Sequence, residues 1–370
     1  MKIEPLLELM IDQDASDLFI AVGKEPSIKV HGQVHAVGKQ RLTPEMTEKL
    51  ALGSMDEWQE KQFLAEKELN YALVSTAGER FRVNAYFQMG HIGLVVRRIR
   101  SDIPSPESLH LPSVLTDLVM SKRGILIYTG GTGTGKSTSL ASLIGHRNRH
   151  ASGHIVTVED PIEFVHQHAQ SIITQREVGV DTYSFQAALK NVLRQSPDVI
   201  LIGEIRDQET MESAIAMAET GHLVLATLHA NNANQVLERV VHFFPPQKRE
   251  QVLLDLSLNL RGIVAQQLIP MCAGGRRAAM EILVNTPYIA DLIAKGEVRA
   301  LKEAMSKSRE MGMQTFDQAL FDLFNESIIS YDNALAFAES KNDLRLMIKL
   351  QDDSKVERRT SVDFDMEPDF

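Results

Sequence analysis

The chain has one cysteine, no apolar run of membrane-spanning length and no excess of positive charge. Cys272 alone cannot close an internal disulfide, and a buried or incidental thiol is its expected role. The longest apolar stretches, Val199-Ile-Leu-Ile-Gly203 and Leu223-Val-Leu-Ala226, fall far short of the roughly 20 residues a membrane helix needs. No membrane insertion is expected. Met1-Lys-Ile-Glu-Pro5 has no charged region followed by a long apolar stretch, so no signal peptide is expected and the chain reads as cytoplasmic. A net charge of −10 repels polyanions, which argues against broad binding to nucleic acid or anionic lipid. Nor is there an evident basic or aromatic groove for tracking a nucleic-acid strand. At 370 residues, 44% hydrophobic and 24% charged, the composition is ordinary for globular proteins and the length suffices for two cores.

Against these absences stands one strong motif. Residues Gly130 to Ser137 read G-G-T-G-T-G-K-S. They follow the apolar run Gly124-Ile-Leu-Ile-Tyr-Thr129 and precede Thr138-Ser-Leu-Ala-Ser-Leu-Ile144. A β-branched strand, a glycine-rich turn and an amphipathic helix are the context a phosphate loop needs. Glycines let successive backbone N–H groups point into one concavity, and the helix adds its positive N-terminal end. Lys136 can reach the β- and γ-phosphates, and the Ser137 hydroxyl can ligate Mg²⁺. The chain is therefore expected to bind a nucleoside triphosphate.

The organisation around this loop is that of an α/β protein. Residues 1 to 100 read as one α/β unit, with a helix at Leu6 to Met10 and strands at Asp17 to Val22 and Ser27 to Gly32. Thr43-Pro44-Glu45 opens a helix, with a capping threonine and a proline at the first helical position. Arg80 to Phe87 alternates as a half-buried strand does, and His91 to Ile99 is its expected hairpin partner through Gly90. Pro104, Pro106 and Pro112 mark residues 101–113 as a linker. From 114 to 350 helices alternate with apolar runs at Ile125, Ile155, Val199 and Leu223. Continuous runs of this kind suit parallel strands covered on both faces, a doubly wound RecA-like core, with a helical C-terminal extension from about Tyr288. Residues 351–370 carry seven acids and read as a disordered acidic tail.

In a parallel sheet the ligand lies at the carboxyl ends of the strands. Three runs end in polar clusters there: Glu159-Asp160-Pro161-Ile162-Glu163, Glu204-Ile205-Arg206-Asp207 and Thr227-Leu228-His229. Hydrolysis needs a carboxylate to orient or deprotonate water and another to hold Mg²⁺, and an imidazole can answer charge at the γ-phosphate. Glu204 is the strongest candidate, because it directly ends a wholly apolar strand. His222, after Thr220-Gly221, reads equally well as a structural histidine at a turn.

At this point the chain resembles a known family. The phosphate loop, Val158-Glu-Asp-Pro-Ile-Glu-Phe164, Leu201-Ile-Gly-Glu-Ile-Arg-Asp207 and Thr220-Gly-His-Leu-Val-Leu-Ala-Thr-Leu-His229 resemble the Walker A, Asp box, Walker B and His box of type II/IV secretion ATPases. Arg206 to Thr210, Ala216 to His222 and Gly312 to Asp317 are most similar to the pilus retraction branch, PilT and PilU. The resemblance implies a homo-hexamer in which a PAS-like N-terminal domain packs on the RecA-like domain of its neighbour. It implies Mg²⁺-dependent ATP hydrolysis that drives type IV pilus retraction at an inner-membrane platform protein. Carried over, Gly130, Gly131, Thr132, Gly133, Thr134, Gly135, Lys136, Ser137 and Thr138 hold the nucleotide. Ser137 and Glu204 serve the metal, Glu163 is the general base, and His222 and His229 occupy the two His-box positions. Arg82 and Arg97 fit arginines that the family supplies to a neighbouring subunit, with Arg98 one register step from the same role.

One stretch departs from the family pattern. Where PilT-type motors carry A-I-R-N-L-I-R-E, this chain has Tyr288-Ile-Ala-Asp-Leu-Ile-Ala-Lys295. Ala290 and Ala294 replace two long hydrogen-bond donors, and Lys295 replaces an acid, although the apolar spacing of a helix is kept. With the acidic tail, this implies an accessory PilU-type ATPase that depends on a PilT-type partner. The alternatives are a principal retraction motor and a non-enzymatic nucleotide-binding regulator.

Overall fold

Two sheets with separate apolar cores carry the chain, whose residues 2–351 are described in the computed structural model. The first sheet is built from β1 (Asp17–Ile20), β2 (Ser27–Val30), β3 (Gln33–Ala36), β4 (Glu68–Val74), β5 (Arg80–Gln88) and β6 (His91–Arg98). Its order is β3-β2-β1-β6-β5-β4, and every pairing is antiparallel. The alternation read in Arg80 to Phe87 is real burial: Phe81, Val83 and Ala85 face inward and their neighbours do not. Left-handed Met89 and Gly90 turn the chain between β5 and β6, with φ of 49° and 81°. Helices Glu4–Asp12 and Pro44–Leu52 cover the apolar face, and the Thr43 hydroxyl caps the second at the Met46 N–H.

The second sheet holds β7 (Gly124–Thr129), β8 (Gly153–Glu159), β9 (Ser171–Glu177), β10 (Val199–Ile202), β11 (Leu223–Leu228), β12 (Leu260–Pro270) and β13 (Arg276–Val284). The order is β13-β12-β7-β11-β10-β8-β9, parallel throughout except for β13 at one edge. Alternate residues of the same strands go to different cores. Ile125, Ile127, Ile200 and Ile202 enter one; Leu126, Tyr128, Val199 and Leu201 enter the other. Both faces are therefore covered, which explains why these strands read as unbroken apolar runs. This is the RecA-like arrangement expected, joined to an α/β N-terminal domain.

Three strands carry no such signal. β9 lies at an edge and includes Thr174, Gln175 and Arg176. β12 follows the helix Arg249–Asn259 with no intervening turn and contains Arg261, Gly262, Gln266 and Gln267. β13 is its hairpin partner, and Cys272 is exposed in the connection between them. Helices Pro287–Ala294, Leu301–Ser306, Phe316–Asn325 and Tyr331–Phe337 follow. Ala290 and Ala294 thus lie on a formed helix, capped by the Thr286 hydroxyl at Ile289 N–H. Apart from Gln351, the stretch read as an acidic tail lies outside the described residues.

Candidate nucleotide site

The turn after β7 is possible only with glycine at two positions. Gly130 has φ of 142°, and a Cβ there would stand 2.5 Å from the Gln266 carbonyl oxygen. Gly135 has φ of 85°, and its Cβ would meet Gln266 Nε2 at 2.9 Å. That amide donates to the Thr134 carbonyl at 2.9 Å, so β12 supports the loop from below. The helix Lys136–His150 begins directly after Gly135, which aims its first N–H groups into the turn. Lys136 Nζ folds back to donate to the carbonyls of Gly130 and Gly131, at 2.8 Å each. A bound triphosphate fits this cradle: the ammonium already lies over the concavity where phosphate oxygens bind.

Around it, parallel strands deliver the polar ends expected of them. A cavity of about 650 Å³ brings Lys136, Ser137, Glu163, Glu204, Arg206 and His229 together. Thr132 to Thr138 form its phosphate-loop wall, whereas Gly130 and Gly131 contribute through their carbonyls to Lys136. Glu204 is flanked on two sides, with Arg206 Nε donating to one carboxylate oxygen at 2.6 Å and His229 Nε2 lying 3.1 Å from the other. The buried Thr129 hydroxyl has one proton to share between the carbonyls on either side of His229, Leu228 at 2.8 Å and Ala230 at 2.7 Å. It also accepts the Ala230 N–H at 2.8 Å, so the phosphate loop and the histidine loop are pinned together. Burial pushes the Lys136 ammonium pKa down, while Glu163 and Glu204 pull it back up. The site thus sets this cation and these two carboxylates around the cavity beside the phosphate loop.

Not every expected residue arrives here. His222 lies at the opposite end of β11 from His229, where its Nδ1 is 3.0 Å from the Met217 carbonyl and 3.1 Å from the Thr220 hydroxyl. Its place in this chain is the structural turn. Arg82 and Arg97 are cross-strand partners on β5 and β6 and do not line their own chain's cavity. Arg98 is held within the fold by Glu79 at 3.2 Å and Asp14 at 3.1 Å. The cavity also takes in Glu159, from the first of the polar strand ends, and His166, Leu268 and Arg276, which sequence reading did not single out. Leu268 and Arg276 sit on β12 and β13, strands with no run of apolar residues to announce them.

Glu159 gives the site a pH signature. Burial pushes its carboxyl from 4.5 up to about 7, against hydrogen bonds from Thr157 at 2.7 Å and Gln175 at 3.3 Å. A folded-state carboxyl pKa above the unfolded one means that the folded chain binds more protons between those values. The contribution of Glu159 to stability is therefore expected to fall as pH rises from about 4.5 to about 7, then to level off, while buried His166, lowered from 6.5 to about 4, acts in the opposite sense. The difference in thermal unfolding midpoint between wild type and Glu159→Gln should therefore shift against wild type as pH rises through this window. A constant difference would mean that Glu159 ionises as readily folded as unfolded.

Comparison with known proteins agrees with this geometry. Residues 1–315 match the model of a family described as type II/IV secretion system protein. The type IV pilus ATPase PilU of Pseudomonas aeruginosa is 56% identical over 363 residues, covering 98% of this chain and 95% of that protein. The type IV pilus retraction ATPase PilT of the same organism is 39% identical over 334 residues, covering 90% and 97%. The crystal structure of the pilus retraction motor PilT with bound ADP superposes with a TM-score of 0.87 at 38% identity, covering 93% of this chain and 99% of that one. The phosphate loop, the carboxylate-bearing strand ends and these likenesses converge: the chain is an ATPase belonging to the type II/IV secretion ATPase family, in its PilT and PilU branch.

Proposed function

We propose that this chain is a magnesium-dependent, hexameric ATPase of type IV pilus retraction, of the accessory PilU type. The observation that carries the enzymatic part is the convergence of Lys136, Glu163, Glu204 and His229 on one cavity. Mg²⁺, when bound, would neutralise charge on the β- and γ-phosphates. Ser137 and Glu204 are the residues that would hold it, with phosphate oxygens filling its shell. Glu163 takes the proton of the attacking water. Glu204, oriented by Arg206 and His229, holds the water and metal side of the site. In this reading residues 1–100 form the domain that packs on a neighbour, 101–113 link it to the ATPase domain of 114–350, and Arg82 and Arg97 serve the neighbour's phosphate.

The accessory role rests on the helix Pro287–Ala294, where Ala290 and Ala294 cannot make the bridges two arginines would. Such a subunit would act at the cytoplasmic face of the inner membrane, through a PilT-type ATPase bound to the platform protein. The test is retraction of fluorescently labelled pili in cells whose principal retraction ATPase is present but cannot hydrolyse ATP. Retraction is expected with this protein and not with its Lys136→Ala form. It is expected to vanish when the principal ATPase is deleted. Retraction in the deletion strain would make this chain an autonomous motor, and none in either background would make it a regulator.

A further inference from the structure

The loop that carries Glu163 is held from two directions by residues distant in sequence. On one side stands β9. Glu177 Oε2 accepts the Ile162 N–H at 3.3 Å. Two residues earlier on the same strand, Gln175 donates to the Phe164 carbonyl at 2.9 Å and accepts the His166 N–H at 2.8 Å. Residues two apart share a strand face, so this pair brackets Glu163 on both flanks.

On the other side stands the end of the N-terminal sheet. The Val165 N–H donates to the Arg100 carbonyl at 3.0 Å, just after β6. Arg80, the first residue of β5, places its guanidinium 3.9 Å from Glu177 Oε2 and 3.7 Å from Asp181 Oδ2. Asp181 in turn accepts the Glu177 N–H at 2.8 Å, so the two acids form one receptor for Arg80. The same Glu177 oxygen therefore faces both the N-terminal sheet and the backbone next to Glu163.

Glu177 is only 2% exposed. Burial raises its carboxyl pKa, and the Ile162 N–H, Arg80 and Arg82 oppose that rise. A carboxylate so buried depends on its compensating charges, and here those charges belong to a different sheet. An ion pair placed only for stability would have no need to share its acceptor oxygen with the Glu163 loop.

We infer that Glu177 is a positioning residue for Glu163, and that Arg80 reports to it where the N-terminal sheet stands against the ATPase core. The inference rests on Glu163 as the general base of the proposed reaction. With Arg80 seated, Glu177 is held charged at the Ile162 amide and Glu163 is presented to the cavity. With Arg80 withdrawn, the buried charge loses its partner and the amide loses a fixed acceptor, so the base shifts. A displacement of about 1 Å at a reacting group can cost on the order of 100-fold in rate.

The test uses the full-length assembled protein, with steady-state ATP turnover and equilibrium binding of a fluorescent ADP analogue measured side by side. Glu177→Gln keeps an acceptor for Ile162 and its shape, but loses the attraction to Arg80. Glu177→Gln and Arg80→Gln are each expected to lower kcat about tenfold, with KM and analogue binding within about twofold of wild type. The double variant should fall no further than either single, because both changes cut one link. Unchanged kcat in both singles, an additive double, or a matching loss of nucleotide binding overturns the inference. Glu163→Gln separates the two layers. If it is inactive while the Glu177 and Arg80 variants turn over normally, only the positioning role fails. If Glu163→Gln itself turns over normally, the base assignment fails and this inference with it.

Discussion

Lys136→Ala is expected to abolish ATP turnover, with a loss of at least about 100-fold, and to weaken nucleotide binding as well. The ammonium lies over the loop on the carbonyls of Gly130 and Gly131. It is also the cation set between Glu163 and Glu204, which raise its pKa against the effect of burial. Its removal leaves two carboxylates facing an incoming polyanion across the same cavity. The defect should therefore appear in affinity and rate together. Glu163→Gln, by contrast, leaves the phosphate cradle intact and should lose turnover while keeping the nucleotide. Phosphate release and fluorescent-nucleotide titration on both variants separate these behaviours. Wild-type turnover in Lys136→Ala would remove the phosphate loop from the catalytic account.

Much of this site is legible in one dimension because parallel strands put their polar ends on one edge. Glu204 follows the unbroken apolar run of β10 and His229 the largely apolar run of β11, and such runs are what two covered faces require. The support beneath the loop is not legible in that way. Gln266 reaches Thr134 only because β12 lies in parallel beside β7, with Ala265 opposite Thr129. Nothing local in Leu260 to Pro270 announces that pairing, since glutamines and an arginine interrupt its apolar pattern. Glu177 and Gln175 are hidden for the same reason, as edge-strand polar residues that look solvated until β8 is placed beside them. His222 shows the converse. It shares a motif with His229, yet six residues of β11 separate the two and carry them to opposite ends of the sheet.

Subunits carrying Arg97→Ala and subunits carrying Lys136→Ala should each be inactive alone, yet gain activity when mixed. Arg97 sits opposite both Asp17 and Arg82 in the sheet and pairs with Asp17 at 2.7 Å. Its side chain is 68% exposed. Only the arginine end of this pair is exposed: the Asp17 side chain is 6% exposed and keeps the Ser16 hydroxyl as a donor at 2.9 Å, so a thermal unfolding midpoint measured on Arg97→Ala separates loss of fold from loss of turnover. The cavity of its own chain does not include Arg97. If Arg97 instead completes a neighbour's site, each site has two halves from two subunits, and the two variants damage different halves. In a ring assembled at random from equal amounts, about a quarter of the interfaces join an intact Lys136 to an intact Arg97. Each variant alone should lie at least about 100-fold below wild type, as loss of a charge-stabilising arginine does in related chemistry. The mixture should then exceed either by about tenfold or more, allowing for coupling between sites around the ring. Subunit exchange is verified by energy transfer between differently labelled variants before turnover is measured. Exchange without any gain would mean that Arg97 acts within its own chain or not at all. The exposed position on β6 would then be explained by the Asp17 pair alone, and the arginine supply to the phosphate would have to come from Arg206 and Arg276, which already line the cavity.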